Sequence, residues 1–415
     1  MMLIIATQEI ETESFLINEL NEIAHHFDRV VVITTQKSNN ITHKFEIIIS
    51  KRSDFLLPAI LHSMKKLFSK EAYQELRDRK KMRVNPGLKS LIYNWITTWM
   101  IERRLQGYLG KIWQGEEMIL YSYWLNVYAY FVANVKKRNP QITAISRAHG
   151  FEIRDFNDYI PFRRTIDTYL DKIIFISRYT KIEYESIVKR IANEVRAEQR
   201  VIRLGVNNLG QFVPNAFNHN NTLHIASCSG IHQLKRLDLI IDSLAEVSEA
   251  VKLNWVHFGD GSDFNMILDY AKKKLAKNNI TYSFKGQLAN SDILKYYENN
   301  DVDIFINASD YEGIPVSIME AMSYGIPCIA RNVGGNSEIV INEISGKLVP
   351  NAASARLIAD VIQEFHFQKV HDFQNYLELR SSTYKYWTEN FNAIKNYDTF
   401  LNYILNGNRI LSNAG

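Results

Sequence analysis

This sequence of 415 residues has very few cysteines and no long apolar run. Its two cysteines, Cys228 and Cys328, each lie in or beside an apolar segment typical of a strand. A cysteine in that setting is usually a small buried side chain, so we expect neither a disulfide nor a nucleophilic thiol. The N-terminal run Met1–Ala6 is too short for the hydrophobic part of a secretory signal, and no apolar run approaches a membrane span in length. These absences predict a protein of the reducing cytoplasm that is soluble or peripheral to a membrane.

Residue groupings that mark metal sites or catalytic triads are also missing. No His/Cys cluster has the spacing of metal ligands, and no Ser/His/Asp arrangement is recognisable. The chain contains neither sequence repeats nor low-complexity segments. We therefore expect an ordinary globular protein whose chemistry depends on other groups.

The formal net charge is only +4, but the cations are concentrated in one part of the chain. Residues 65–111 contain twelve Lys or Arg and four Asp or Glu, a local excess of +8, with aromatic residues between them. This combination is typical of a surface that binds anionic lipid head groups or a polyanionic acceptor, and nucleic acid is a poorer match. The competing interpretation is an ordinary helical layer.

Part of the basic segment is expected to face the core. Six apolar residues recur at helical spacing, namely Leu91, Ile92, Trp95, Ile96, Trp99 and Met100. Only the cations around Arg77 to Arg83 therefore support membrane binding.

Short apolar runs typical of strands recur along both halves of the chain and alternate with helical patterns. They lie at residues 3–6, 30–33, 118–121, 142–145, 173–176, 223–226, 256–258, 303–307 and 328–330. This alternation predicts parallel βαβ units, and its recurrence on both sides of about residue 210 predicts two doubly wound domains. The polar stretch Asn207–Thr222, rich in Asn and interrupted by Gly and Pro, is the best candidate for the linker.

Two glutamates flank the start of a predicted helix in the second half. The strand predicted at residues 303–307 places Glu312 on the loop at its carboxyl end, where ligands bind in open α/β sheets. Pro315 suits the first turn of the next helix, and Gly313 allows the backbone to approach a ligand. Glu320 lies within that helix, and its carboxylate can accept hydrogen bonds from two vicinal ribose hydroxyls. A lone pair of this kind could instead be a helix cap and a solvated residue.

The sequence around these glutamates resembles a known family. The segment EGIPVSIMEA, from Glu312 to Ala321, is similar to the signature of retaining glycosyltransferases of family four. The likeness continues through Asn332–Gly335, Glu338–Val340 and Gly346–Val349. It implies the α/β fold called GT-B, in which two doubly wound Rossmann-like domains face each other across a cleft. It also implies that Gly313, Ile314, Pro315 and Glu320 bind the donor and that Glu312 is catalytic.

The resemblance extends over nearly the whole chain and implies three regions. Residues 1–208 would form the acceptor-side domain, and residues 209–385 would bind the nucleotide sugar. Residues 386–415 would form a helical segment that crosses back to the first domain, because residues 384–405 carry an apolar stripe at helical spacing.

Groups that would neutralise a diphosphate are expected on the loop after the strand at residues 223–226. A leaving diphosphate needs cations or oriented amides, and Lys235 is the main candidate. The family has an arginine five residues before this lysine, whereas Gly230 stands there in this chain. We expect Arg236 or another loop cation to substitute for it. Gly259, after the strand at residues 256–258, is expected in a turn on the nucleotide side.

The first domain supplies two further candidates by resemblance. His149 follows a predicted strand and matches the family's histidine near the donor sugar, where it would hydrogen-bond a sugar hydroxyl. The family usually has a glycine-rich turn after its first strand, but this chain has none there. Glu13 matches a family variant with an acidic residue near the acceptor, and helix capping by Thr12 or Ser14 explains this segment equally well.

A two-aspartate pair, Asp301 and Asp303, matches the metal motif of a different glycosyltransferase fold. It lies at the amino end of its predicted strand, opposite the edge where ligands bind, so we expect a structural turn. We expect neither a metal nor a cofactor.

The resemblance implies a retaining glycosyltransferase that takes a nucleotide diphosphate sugar and a glycan or lipid-linked acceptor, in polysaccharide or lipid-linked glycan synthesis. It would work in the cytoplasm at an anionic membrane surface. Two alternatives are a sugar-nucleotide epimerase with the same fold and a catalytically silent glycan-binding subunit.

Overall fold

The computed structural model of the protein describes residues 1–8, 14–35, 45–50, 56–82, 88–113, 115–150, 152–153, 161–208, 210, 212 and 220–406. The chain divides into two compact units. The first contains Met1–Leu204 and the residues from Tyr397 onward, and the second is Gly205–Asn396. The division thus falls slightly before residue 208, and residues 386–396, expected in the returning segment, belong to the second unit. Most of the predicted linker lies outside the described residues.

The first unit is built on a parallel sheet of seven strands in the order β3-β2-β1-β4-β5-β6-β7. The strands are β1 (Met2–Thr7), β2 (Arg29–Thr34), β3 (Glu46–Ile49), β4 (Met118–Ser122), β5 (Thr143–Ala148), β6 (Lys172–Phe175) and β7 (Glu198–Val201). The helices of this unit are α1 (Ser14–Ile23), α2 (Leu56–Lys66), α3 (Lys70–Lys81), α4 (Leu88–Ile112), α5 (Val127–Arg138), α6 (Arg163–Tyr169) and α7 (Arg178–Arg190).

The second unit has a parallel sheet of six strands in the order β10-β9-β8-β11-β12-β13. The strands are β8 (Thr222–Cys228), β9 (Lys252–Phe258), β10 (Ile280–Phe284), β11 (Ile304–Asn307), β12 (Cys328–Arg331) and β13 (Gly346–Val349). The helices are α8 (Leu237–Glu246), α9 (Phe264–Lys274), α10 (Asn290–Asn299), α11 (Val316–Met322), α12 (Ala355–His371) and α13 (Phe373–Asn390), followed by α14 (Ala393–Asn406), whose last part belongs to the first unit.

The nine strands predicted from apolar runs are all present, and four others were missed. The central strands β1, β4, β6, β11 and β12 are buried along their whole length, which explains their continuous apolar sequence. The missed strands β3, β7, β10 and β13 are the outermost strands of the two sheets and are partly exposed. An edge strand needs fewer apolar residues, so it leaves a weaker pattern in the sequence.

The basic segment folds into helices α2, α3 and α4. Leu91, Trp95 and Met100 are buried, which confirms that one face of α4 belongs to the core. Arg79 contradicts the interpretation of its neighbourhood as a solvated cationic surface, because it is only 3% exposed. Its Nε donates a hydrogen bond of 2.9 Å to Glu75 Oε1 in the preceding turn. Lys80 and Lys81 are exposed, and Arg83 lies outside the described residues.

Both cysteines have free thiols, as expected. Cys328 is buried in β12, and burial raises the pKa of the Cys228 thiol at the end of β8 to about 12. Within the described part of the chain, no helix combines the length and apolar character needed to cross a bilayer.

Candidate active site

The second sheet reverses its strand order between β8 and β11. Strands β9 and β10 extend to one side of β8, while β12 and β13 extend beyond β11 on the other. The loops that follow β8 and β11 leave the same edge of the sheet, so they form a crevice of the kind that binds nucleotides in doubly wound folds. The first loop carries Lys235 and the second carries Glu312.

These two side chains are in direct contact. Lys235 Nζ donates a hydrogen bond of 2.7 Å to Glu312 Oε1, and Asn307 Nδ2 lies 3.2 Å from the same oxygen. Asn307 is the last residue of β11, so its side-chain amide holds the Glu312 carboxylate at the carboxyl end of that strand. Two residues that the sequence proposed for separate roles therefore form one ion pair. The contribution of Asn307 was not predicted.

A glycine pair supports the loop that carries Glu312. The Gly335 backbone N–H donates to the Glu312 carbonyl at 3.2 Å. Gly334 has φ of +52°, and a Cβ added there would lie 1.7 Å from the Glu312 carbonyl oxygen. A side chain at this position would displace the Glu312 backbone, which explains the need for glycine.

Helix α11 holds the second glutamate, as the sequence predicted. Pro315 is the residue that precedes the helix rather than part of its first turn, and Ile314 is buried beside it. Glu320 lies inside α11, and its Oε1 accepts a hydrogen bond of 2.6 Å from Asn290 Nδ2. Burial raises the pKa of the Glu320 carboxyl to about 7, although the Asn290 hydrogen bond opposes that shift.

Gly230 and Gly259 lie on the loops after β8 and β9. Gly230 is exposed, and an added Cβ would approach no atom closer than His232 Cδ2 at 3.4 Å, so the fold does not require glycine there. Gly259 has φ of +136°, and an added Cβ would lie 1.9 Å from the Ser229 carbonyl oxygen. Gly259 thus allows the two loops to pack closely against each other.

Arg236, the proposed substitute for the missing arginine, already forms ion pairs with two carboxylates. Its Nη2 lies 3.0 Å from Asp238 Oδ2, and its Nη1 lies 3.3 Å from Asp310 Oδ1. Asp310 also pairs with Arg331 Nη1 at 2.5 Å. A phosphate that binds Arg236 would have to compete with these partners.

His149 belongs to the first unit, just after β5. Its buried ring lies 4.6 Å from the Tyr123 ring and 4.3 Å from the Trp124 ring, measured between centroids. Glu152 Oε1 accepts a hydrogen bond of 2.8 Å from the His149 backbone N–H, but it lies 3.6 Å from the ring nitrogen Nδ1. Neither ring nitrogen has a hydrogen-bond partner among the described residues. Burial lowers the pKa of His149, so the ring is neutral at pH 7. A neutral ring can donate a hydrogen bond to a hydroxyl or accept one from it.

Glu13, the candidate on the acceptor side, lies outside the described residues.

The Asp303 carboxylate is buried and forms hydrogen bonds that connect several elements of the second unit. Its Oδ2 accepts hydrogen bonds of 2.7 Å from both Lys369 Nζ and the His224 backbone N–H, and its Oδ1 accepts one of 2.9 Å from the Tyr376 hydroxyl. These contacts attach the start of the β11 segment to helices α12 and α13. In the part of the chain that the structure describes, no group of three or more His, Cys, Asp or Glu side chains is arranged to hold a metal ion.

Comparison with known proteins identifies the region that contains this site. Residues 214–378 match the family described as Glycosyl transferases group 1. This region is a group 1 glycosyltransferase domain. The whole chain has the GT-B fold, because it superposes on HepE of Anabaena, solved in complex with UDP-glucose, with a TM-score of 0.69, 13% identity and coverage of 98% of this chain and 100% of that one.

Curated relatives match over shorter stretches. The chain is 20% identical over 289 residues to the GtfA subunit of a UDP-N-acetylglucosamine–peptide N-acetylglucosaminyltransferase of Streptococcus agalactiae, covering 65% of this chain and 54% of that protein. It is 30% identical over 119 residues to lipopolysaccharide 1,6-galactosyltransferase of Escherichia coli, covering 28% and 31%. The chain therefore spans about half of the first relative and about a third of the second.

Proposed function

We propose that the protein transfers a sugar from a nucleotide diphosphate sugar to a hydroxyl of a glycan or lipid-linked acceptor, with retention of the anomeric configuration and without a metal. The observation that carries this proposal is the Lys235–Glu312 ion pair at the β8/β11 crevice of a group 1 glycosyltransferase domain, with Glu320 on the following helix.

In this proposal Lys235 neutralises the diphosphate. When the bond between the sugar and the phosphate breaks, negative charge builds on the leaving oxygen, and a nearby ammonium lowers the energy of that state. Lys235 Nζ is held 2.7 Å from Glu312 Oε1 and its side chain is 23% exposed, so it remains accessible to a bound anion. Lys235 can therefore serve the diphosphate while Glu312 contacts the adjoining sugar.

Retention is proposed to follow from attack on the same face of the sugar that the diphosphate leaves. The bond from the anomeric carbon to the leaving oxygen breaks as the bond to the acceptor oxygen forms. The acceptor hydroxyl transfers its proton to the leaving phosphate. This route needs no separate general base, and the neutral ring of His149 would instead hydrogen-bond a sugar hydroxyl.

The donor and acceptor classes are proposed from relatives. HepE was solved in complex with UDP-glucose, and another relative, from Escherichia coli, is named as a galactosyltransferase that uses UDP-Gal and a GlcNAc-diphosphoundecaprenol acceptor. That relative is 47% identical over 47 residues, which is 11% of this chain and 12% of that protein. These names favour a UDP-sugar and a lipid-linked glycan.

The test is a screen of UDP-, GDP-, ADP- and dTDP-sugars in buffer with EDTA. We expect one sugar nucleotide to raise the melting temperature, because a ligand at about a hundred times its Kd stabilises the fold by about 2.7 kcal/mol. The same compound should slowly release nucleoside diphosphate, and the rate should rise when a lipid-linked acceptor is added.

Other outcomes identify the alternatives. Conversion of the sugar nucleotide to its epimer would indicate the epimerase, and binding without turnover would indicate a silent subunit. Activity that is lost in EDTA and restored by added manganese or magnesium would contradict metal independence.

A second feature concerns where the enzyme works. Helix α2 and the turn after it carry a row of exposed apolar side chains, and Phe68 is 94% exposed. The row continues onto α3, where exposed cations follow. We call this the α2–α3 surface, defined by the apolar residues Leu57, Leu61, Met64, Phe68 and Tyr73 and the exposed cations Lys65, Lys70, Arg77, Lys80 and Lys81.

We propose that the α2–α3 surface binds an anionic bilayer at the cytoplasmic face of the membrane. The spacing of Leu57, Leu61 and Met64 places them on one side of α2, as in helices that lie in the membrane interface, and Phe68 lies in the turn after that helix. Each nearby cation adds about 1 kcal/mol of attraction to anionic lipid.

Vesicle co-sedimentation across a salt series tests this localisation. Wild-type protein should sediment with vesicles of anionic lipid at low salt, and binding should fall at about 0.1 M salt, where the Debye length is about 10 Å. Leu61→Ser with Phe68→Ser, or Lys80→Ser with Lys81→Ser, should release the protein without changing donor hydrolysis.

The matched controls are exposed side chains of the second unit. Phe367→Ser and Lys272→Ser with Lys273→Ser remove the same residue types from other surfaces and should leave vesicle binding intact. A wild type that stays in the supernatant at low salt would end the membrane proposal and leave the glycosyltransferase proposal standing.

A further inference from the structure

A hydrogen bond links two helices of the second unit beside the proposed nucleotide site. Asn290 is the first residue of α10, and its Nδ2 donates to Glu320 Oε1 in α11 at 2.6 Å. Glu320 is 6% exposed, and its Oε2 has no hydrogen-bond partner among the described residues. One carboxylate oxygen is therefore fixed, and the other is available to a ligand.

The surroundings of Glu320 disfavour its charge. Burial raises its pKa to about 7, and the Asn290 hydrogen bond is the interaction that lowers it. Cys228 at the end of β8 and Tyr297 in α10 lie near Glu320, and its negative charge helps to raise the pKa of both. Burial raises the pKa of Cys228 to about 12 and that of Tyr297 well above its usual 10, so both are neutral at pH 7.

We propose that Asn290 is a positioning residue of the nucleotide site, whose amide fixes one oxygen of the Glu320 carboxylate and directs the other toward the ribose hydroxyls of the donor. A carboxylate accepts hydrogen bonds through both oxygens, whereas a protonated carboxyl carries a donor and accepts fewer. Binding two vicinal hydroxyls therefore favours the ionised form. The inference rests on the proposed function, because it takes the ligand to be a nucleotide.

The proposal gives nucleotide binding a defined pH dependence. The ionised fraction of Glu320 rises as the pH increases through about 7, so binding should strengthen from acidic to mildly basic pH. Loss of the Asn290 amide removes an interaction that favours the ionised form. The midpoint of the binding curve should then move to higher pH.

The experiment measures uridine diphosphate affinity by calorimetry from pH 5.5 to 9 on the full chain. In Asn290→Ala we expect the midpoint to rise by about one pH unit, with about fivefold weaker binding at pH 7 and recovery toward pH 9. Asn290→Gln keeps an amide donor and should restore part of the affinity at pH 7. In a Glu320→Gln background, Asn290→Ala should have no further effect on the pH profile.

Asn299→Ala is the matched control. Asn299 is the last residue of the same helix, is exposed, and donates its side-chain hydrogen bond to the Lys295 carbonyl. Its removal should leave the pH midpoint unchanged, so a shift confined to Asn290 variants cannot come from loosening of α10.

Two failures are distinguishable. If wild-type protein binds uridine diphosphate and Asn290→Ala retains the wild-type midpoint, the role of Asn290 is wrong and the proposed function stands. If the midpoint shifts as expected but no sugar nucleotide is turned over, Asn290 keeps its role and the proposed catalysis fails. Absence of binding by the wild type at every pH would overturn both.

Discussion

Replacing Glu312 by Ala is expected to lower kcat, whereas replacing Glu320 by Ala is expected to weaken nucleotide binding. Glu312 shares its Oε1 with Lys235 and Asn307 in the crevice, where it is proposed to contact the reacting sugar. Glu320 lies in α11, the helix that follows the Glu312 loop, and is proposed to contact the ribose. Loss of a hydrogen bond to a charged group costs about 1.5–3 kcal/mol, which corresponds to about a ten- to hundredfold effect.

Steady-state kinetics with the donor found in the screen measures kcat, and calorimetry measures the Kd for uridine diphosphate, so the two effects can be separated. Glu312→Ala should reduce kcat with little change in Kd for uridine diphosphate, and Glu320→Ala should raise that Kd. The exposed Glu249→Ala serves as a control for the loss of one carboxylate from the same unit. Wild-type kinetics in both active-site variants would show that the site has been assigned to the wrong residues.

Replacing Asp303 by Ala is expected to destabilise the second unit by about 3–5 kcal/mol. Asp303 and Lys369 form an ion pair of 2.7 Å in which the side chains are 2% and 1% exposed. Removal of the carboxylate leaves the Lys369 ammonium buried, with the Thr222 carbonyl at 2.8 Å among its remaining partners. A buried charge without its counter-ion carries a large desolvation cost.

Urea unfolding measures this effect, and because the protein has two units, each transition is fitted separately. The control is Asp269→Ala, which breaks an ion pair with Lys272 whose side chains are 75% and 61% exposed. That pair should contribute at most about 1 kcal/mol. Asp303→Ala combined with Lys369→Met should recover part of the loss. An Asp303→Ala midpoint equal to that of Asp269→Ala would contradict the structural role.

The sequence proposed the main residues of the candidate site but did not show how they contact each other. Lys235 and Glu312 were each proposed from local motifs, and their ion pair became visible only when β8 and β11 were found side by side. Asn290 and Asn307 carry no motif that marks them as partners of the two glutamates. Arg236 was expected to be available for phosphate, and Asp238 and Asp310 occupy it instead.

Charge runs were the least informative part of the sequence. The tract around Arg79 has the composition of a solvated surface, yet Arg79 and Asp78 are buried. Arg79 pairs with Glu75, and Asp78 Oδ1 accepts a hydrogen bond of 2.9 Å from Arg164 Nη2, 86 positions further along. Charge density along a chain does not show which side chains have counter-ions, because some of those partners, such as Arg164, come from distant segments.

The sequence by itself determined the class of the protein: two series of alternating strands and helices, the central strands of both sheets, and the glutamate motif of the candidate site. These features are local, because a strand buried on both faces must be apolar along its own length. Only the tertiary structure decided the four edge strands, the ion pairs of Lys235 and Asp303, and the exposure of the α2–α3 surface. Each of these depends on which distant segment packs against a residue, and packing is set by the whole fold rather than by the neighbouring sequence.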